Sequence, residues 1–203
     1  RIQATFYWCS YCDFIFKDEK DYVDQIKEKE IYDYHQNSIE DEKYVAYLDK
    51  FIQKGILPFV GEGKRGLDFG SGPTPVLSTI LKDVYHYRMS LYDLFYFNKA
   101  ENLEKQYDFI CSTEVIEHLK EPLEYFKKFS KMLSTKGVLA IMTLLHPSSV
   151  EELQNWHYTR DRSHISLFSY KTLEYIAHTT GFRIVYTDHH RIITFVKEEE
   201  VEL

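Results

Sequence analysis

Arg65-Gly66-Leu67-Asp68-Phe69-Gly70-Ser71-Gly72 is a short apolar run that stops on a glycine turn. Residues 65–69 read as a buried strand, and Pro75–Lys82 beyond the turn reads as a helix. Two glycines at a strand-to-helix turn let the backbone approach a ligand closely, and a helix start favours negative charge. Asp93 lies 23 residues beyond Gly70, at the end of a second apolar run, Tyr87–Tyr92. A carboxylate at that sheet edge suits the gripping of ribose hydroxyls. A tight turn plus a surface aspartate is the plainer alternative. A dinucleotide fingerprint needs a third glycine at position 75, but the residue there is Pro75, which has no N–H to offer a phosphate. No Gly-Lys-Ser/Thr follows, which disfavours a phosphate-binding loop. A ligand with ribose but no pyrophosphate remains.

Outward from this turn the chain alternates between strands and helices. Tyr107–Ser112 reads as a third strand, Val115–Leu133 as a helix and Gly137–Leu144 as a fourth strand. An irregular stretch runs to about Ser169, and a helix over Tyr170–Thr180 stops at Gly181. Phe182–Thr187 and Arg191–Val196 read as a β-hairpin around Asp188-His189-His190. The expected fold is α/β: a mostly parallel Rossmann-like sheet with helices on both faces and an antiparallel C-terminal hairpin. Upstream, residues 18–55 carry apolar residues at helical spacing, such as Tyr44, Tyr47, Leu48, Phe51 and Ile52. They read as two helices broken near Gln36-Asn37-Ser38. The division expected is an aromatic leader over 1–16, a helical cap over 17–60 and the α/β domain over 61–203.

Composition narrows the function classes. The chain has 203 residues, 16% of them aromatic, and a net charge of −7. That charge argues against a generic phosphate-backbone binder, although the acids gather at the two ends and leave the middle close to neutral. No apolar run is long enough to span a bilayer. Three cysteines are few and odd in number, which points to a reducing, cytoplasmic compartment rather than a disulfide framework. Cys9-Ser-Tyr-Cys12 is half of a tetrahedral metal site, and Cys111 sits in a core strand away from it.

After the third strand comes Thr113-Glu114-Val115-Ile116-Glu117-His118. On a helix, positions i, i+3 and i+4 share a face, so Glu114, Glu117 and His118 would point at one place. Two carboxylates and an imidazole suit a divalent cation such as Mg²⁺, Mn²⁺ or Zn²⁺. Acids at a helix start, with His118 packed beneath the sheet, are the plainer account. His146, before Pro147, ends the fourth strand and is a further general-base candidate. The stretch Trp156–Ser169 carries His157, Tyr158, His164 and several arginines, and reads as a substrate lid. Plain packing is the alternative for Trp156 and Tyr158, and His35, His86, His178, His189 and His190 read as surface or turn residues.

Together these motifs resemble the class I S-adenosylmethionine-dependent methyltransferases, over about residues 64–197. The resemblance implies that Asp68, Gly70, Ser71, Gly72, Asp93, Thr113 and Glu114 bind S-adenosylmethionine. It departs from the family in one place: only 14 residues separate Asp93 from Asp108, so the family's third strand is shortened or missing. Glu-x-x-Glu-His with the later His-x-x-x-Phe-Ser is similar to ubiquinone-biosynthesis O-methyltransferases and to RNA 3′-end ribose 2′-O-methyltransferases. That likeness implies metal ligation by Glu114, Glu117, His118 and His164, and catalytic roles for His118, His146 and His164. The expected acceptor is a small molecule. An RNA end would need a basic groove, with Arg160, Arg162, Lys171 and Lys127-Lys128 as the local candidates. A sheet that binds the cofactor without turnover is the third reading. For the Cys9–Cys12 segment, the family likeness implies a remnant of a zinc-ribbon element.

Overall fold

The computed structural model describes residues 4–34 and 37–199. The sequence-predicted strands form one six-stranded sheet. Its members are β3 (Arg65–Phe69), β4 (Arg88–Tyr92), β5 (Tyr107–Thr113), β6 (Leu133–Met142), β8 (Phe182–Thr187) and β9 (Ile192–Lys197). The order is β4-β3-β5-β6-β9-β8. The first four are parallel and the last hairpin is antiparallel. Residues alternate between faces along each central strand. Ile110, Leu139 and Ile141 face α4 (Pro122–Met132) and α6 (Tyr170–Thr180), through Phe126, Phe129, Leu173 and Ile176. Phe109, Cys111, Val138 and Ala140 face α2 (Glu42–Phe51) and α3 (Val76–Asp83), through Leu48, Phe51, Leu77 and Leu81. A parallel sheet buried on both faces accounts for its near-continuous apolar strands.

The shortened segment after Asp93 holds no strand. It makes a single bridge between Asp93 and Phe97 and a short turn of 3₁₀ helix over Ala100–Leu103. The edge of β4 is capped instead by a side chain: Asn102 donates to the Leu91 carbonyl at 2.9 Å.

The cap expected over 17–60 divides in two. α1 (Gln25–Asp33) buries no residue, whereas α2 is an integral layer of the sheet and continues into a π turn over Ile52–Ile56. The break expected at Gln36 falls partly outside the described residues, as does His35. The aromatic leader forms a hairpin, β1 (Phe6–Trp8) and β2 (Ile15–Lys17), with Cys9 and Cys12 in its turn. β2 pairs with β7 (Ser166–Leu167) from the stretch read as a lid. The irregular stretch before Ser169 is more regular than expected, with α5 over Val150–Asn155 ahead of the lid and a 3₁₀ turn over His157–Arg160 within it.

One prediction fails in a way that matters. Val115–Leu133 is not one helix. Ile116–His118 is a single 3₁₀ turn, and α4 begins only at Pro122. Proline favours the first turn of a helix and pushes the residue before it out of helical conformation. Glu114, Glu117 and His118 therefore do not share a helical face, and Glu114 itself takes a left-handed backbone with φ 53°.

Candidate active site

A cavity of about 950 Å³ opens at the carboxyl edge of the parallel strands, between the sheet, the N-terminal helices and the 157–164 segment. The seven residues assigned to the cofactor by resemblance all line it. Its two sides are built differently.

On one side lies the glycine turn. Gly70 has φ 78°, and a Cβ there would sit 2.3 Å from Val115 Cγ2, so glycine is needed for both conformation and space. Gly72 is also left-handed, but a Cβ would meet nothing within 4 Å, because its face opens on the cavity. The N–H groups of Gly70 and Ser71 donate to the Tyr92 carbonyl at 2.7 and 3.2 Å. That of Gly72 donates to Asp93 Oδ2 at 2.9 Å. All three amides are thus spent on β4 and its end, so the turn is no phosphate cradle, which agrees with Pro75. Asp93 Oδ1 accepts from Phe95 and Tyr96 N–H at 2.8 and 3.1 Å. The carboxylate is held rigidly at the cavity wall with lone pairs left for ligand hydroxyls. Asp68 is buried and accepts from Ser78 Oγ at 2.9 Å, and burial pushes its carboxyl up to about 7. Ser71 Oγ is buried with no partner among the described residues while its residue lines the cavity. These groups fit S-adenosylmethionine: a ribose grip at Asp93, a buried acid at Asp68 and an unsatisfied hydroxyl at Ser71.

On the other side, side chains from distant segments converge. Glu114 Oε1 accepts from Tyr47 Oη of α2 at 2.7 Å, and its Oε2 accepts from Tyr158 Oη at 3.0 Å. Arg191, between β8 and β9, donates to Tyr47 Oη at 2.6 Å and lies 3.7 Å from Glu114 Oε1. Glu117 is fully buried, with Tyr158 Oη on Oε1 and Thr143 Oγ1 donating to Oε2 at 2.9 Å. Burial, with Glu114 second, pushes the Glu117 carboxyl well up. The His118 and His164 rings pack edge-on at 4.8 Å. His118 Nδ1 faces the Ser163 carbonyl at 3.1 Å and His164 Nδ1 the Tyr158 carbonyl at 2.9 Å. A carbonyl only accepts, so each Nδ1 carries a hydrogen, while His164 Nε2 lies 3.7 Å from Asp161 Oδ2. Burial lowers the His164 pKa, opposed by Asp161, and so favours the neutral ring.

Glu117, His118 and His164 can each bring a ligand atom within 4.8 Å of the others. Glu114, expected with them, is not in that group. His146 is a clearer correction. It does not line the cavity, and its Nδ1 and Nε2 face the carbonyls of Pro147 and Asp13, both at 2.8 Å, so it anchors the hairpin turn rather than acting as a base. Of the basic residues named for an RNA groove, Arg160, Arg162, Lys171, Lys127 and Lys128, none lines the cavity. Lys127 pairs with Glu124, Lys128 lies over Tyr125, Arg160 bonds the Asn155 carbonyl and Lys171 meets Asp13. Tyr47 and Arg191 carried no sequence signal as site residues: the tyrosine sits on an amphipathic stripe and the arginine in a hairpin turn. His157 and Tyr158, noted only within the lid, do line the cavity, and Trp156 packs against the hairpin.

A family model described as a methyltransferase domain matches residues 43–187. Among proteins of curated function, none matches the sequence. Several solved structures share the fold at low identity. A Bacillus halodurans C-125 protein assigned as a methyltransferase aligns with a TM-score of 0.55 and 12% identity, over 76% of this chain and 100% of its own. An O-methyltransferase family 2 protein from Planctomyces limnophilus, solved with apigenin, gives 0.58 and 16%, over 74% and 57%. The mitomycin 7-O-methyltransferase MmcR gives 0.56 and 11%, over 78% and 58%. With most of its length matched by that model and the fold shared, the chain belongs to the methyltransferase-domain family and is a class I S-adenosylmethionine-dependent methyltransferase.

Proposed function

We propose that the enzyme methylates a hydroxyl group of a small molecule, with a divalent ion held by Glu117, His118 and His164. The observation that carries this reading is one cavity lined both by the Asp93 edge and by the His118 and His164 rings, with Glu117 of their cluster buried outside its lining. S-adenosylmethionine supplies an activated methyl group when bound, so the protein has to bind, orient and exclude water rather than form a covalent intermediate. Asp93 and the 70–72 turn hold the ribose side. Tyr158 and Tyr47 tie Glu114 between the lid and α2. His118 and His164 line the cavity, placed to take the acceptor's proton or to hold the ion, which would lower the hydroxyl's pKa.

The lining favours a neutral or cationic acceptor. It contains eight carboxyl groups and a single lysine, Lys120. A polyanionic RNA end would meet like charge there, which weighs against the ribose 2′-O reading. Solved neighbours named as O-methyltransferases support the oxygen acceptor. The Cys9–Cys12 turn keeps its reading as half of a zinc-ribbon element. Its backbone N–H groups at Cys12 and Tyr11 face the Cys9 sulfur and lower that thiol's pKa, while burial raises that of Cys12. Three free thiols suit a reducing, cytoplasmic compartment. No helix among the described residues is long and apolar enough to cross a membrane.

The test is turnover. Purified protein with S-adenosylmethionine and Mn²⁺ is offered a panel of phenols, catechols, alcohols and amines, and products are read by mass spectrometry. Methylation of hydroxyl acceptors, lost on adding a chelator, is expected. Transfer to amines alone, or transfer indifferent to chelation, overturns the corresponding part of the reading.

A further inference from the structure

Lys17 is a long cationic side chain on β2, yet it is only 2% exposed. Its backbone N–H donates to the Ile165 carbonyl at 2.9 Å, and its Nζ donates to the Arg162 carbonyl at 2.8 Å. Both acceptors belong to the lid, one on each side of His164. The same stretch is bonded on its other side to the turn after β5. There the Ile165 N–H donates to the Glu117 carbonyl at 2.9 Å, and Ser166 Oγ donates to the Leu119 carbonyl at 2.6 Å. His118 Nδ1 faces the Ser163 carbonyl at 3.1 Å. Residues 162–166 are thus strung between the leader hairpin and the 117–119 turn. They carry His164, with Asp161 just ahead of it, into the cavity lining.

A lysine is a costly choice for this place. Its ammonium stands 5.5 Å over the Phe6 ring and has one carbonyl acceptor among the described residues. The acids that act on it, Asp161 in the lid and Asp21 after β2, form no ion pair with it. Burial pushes the amine down to about 8, which Asp161 and Asp21 oppose and Arg162 reinforces. Its charge acts in turn on His164. An apolar side chain of similar length would be cheaper to bury. We propose that Lys17 is a positioning residue for the acceptor wall: its amine sets Arg162, and through it the stretch bearing Asp161 and His164, while the charge buried with it keeps that wall able to open. The sign follows from the two environments. The amine titrates at about 8 when covered and at about 10.4 in water. The closed wall is therefore weakest below about pH 8, where both states hold the proton, and strengthens as pH rises toward 10. Cheap opening at neutral pH gives the acceptor a way in while the sheet stays folded. No ion is needed for this, so it stands apart from the metal reading.

The experiment is limited trypsin digestion of the full chain at about pH 7 and pH 9. Cuts after Arg160 and Arg162, both exposed, are counted by mass spectrometry and normalised to a free peptide of residues 157–166. A cut there needs the surrounding stretch to open, so its rate reports that opening. In the parent, normalised cutting should fall about 10-fold between the two pH values. Lys17→Met should remove that pH step. Lys17→Gln, which keeps a neutral donor for the Arg162 carbonyl, should remove it too. At pH 7 both should be cut more slowly than the parent, by roughly 5-fold or more. Cys9→Ser, at the hairpin turn, should keep the step, which separates the amine from a thiol whose pKa is lowered. Circular dichroism checks folding, and Lys17→Gln carries the comparison if Lys17→Met does not fold. A parent without the pH step overturns the proposal. So does a folded Lys17 variant cut faster than the parent at pH 7, which would make the lysine a plain staple.

Discussion

On the cofactor side of the cavity, the polar groups come from two short stretches, 68–72 and 92–96, and are fixed largely by backbone N–H groups donated to Tyr92 and Asp93. On the acceptor side they are side chains from four stretches: Tyr47, Glu114–His118, Tyr158–His164 and Arg191. The first arrangement is a property of one βα turn and the strand beside it. The second exists only when α2, the lid and the terminal hairpin have all docked. A change on the cofactor side should therefore cost binding or folding outright. A change on the acceptor side should loosen a cover and spare the cofactor.

The largest effect is expected at Gly70. Gly70→Ala places a Cβ 2.3 Å from Val115 in a left-handed backbone, which adds steric and conformational cost of about 4 kcal/mol. Gly72→Ala carries only the conformational part, about 1 kcal/mol. Urea unfolding should show that gap, and adding Val115→Ala to Gly70→Ala should recover most of it. Equal costs would mean that the close approach at Gly70 is not what demands glycine.

Asp68 tests the buried acid through pH. Its folded pKa of about 7 lies above the unfolded value of about 3.9, so the folded state holds the proton more tightly. Its contribution is fully present below about pH 4 and is lost as pH rises through about 7, of order 3–4 kcal/mol in all. Asp68→Asn should flatten the fall in stability of the ligand-free protein between pH 5 and 8. An unchanged slope would show that another group titrates there.

Asp93→Ala removes the acceptor for three backbone N–H groups and, on the proposed function, the grip on ribose. S-adenosylmethionine affinity measured by calorimetry should drop at least about 100-fold. Tyr158→Phe, on the other side, deprives Glu114 and Glu117 of a shared donor. It should cost about 2 kcal/mol in stability while leaving cofactor affinity within about three-fold. If Tyr158→Phe weakened the cofactor as much as Asp93→Ala does, the two sides would be one unit and the contrast would fall.

The same contrast explains what the sequence could tell. The Gly70–Gly72 turn, Asp93 and the six sheet strands rest on local patterns: apolar periodicity, glycine at a turn, an acid at a strand end. The missing strand was visible as a length, since 14 residues between Asp93 and Asp108 leave no room for helix, strand and loop. The helical face assigned to Glu114, Glu117 and His118 failed because Pro122 resets the backbone ahead of it. Tyr47 and Arg191 were invisible because their roles depend on a docking that brings together residues 144 positions apart. His146 was misread for the same reason, since its ring is claimed by carbonyls at residues 13 and 147.

The pairing of β2 with β7 also sets the order in which the enzyme can be finished on the ribosome. The strand partners of Ile15 and Phe16, Leu167 and Ser166, are translated some 150 residues after them. At about 5–20 residues per second, that interval is roughly 10–30 s. Through it the leader's aromatic hairpin has no strand to complete its sheet, and the segment bearing His164 cannot be set. The acceptor wall therefore closes only after the cofactor turn has had time to form.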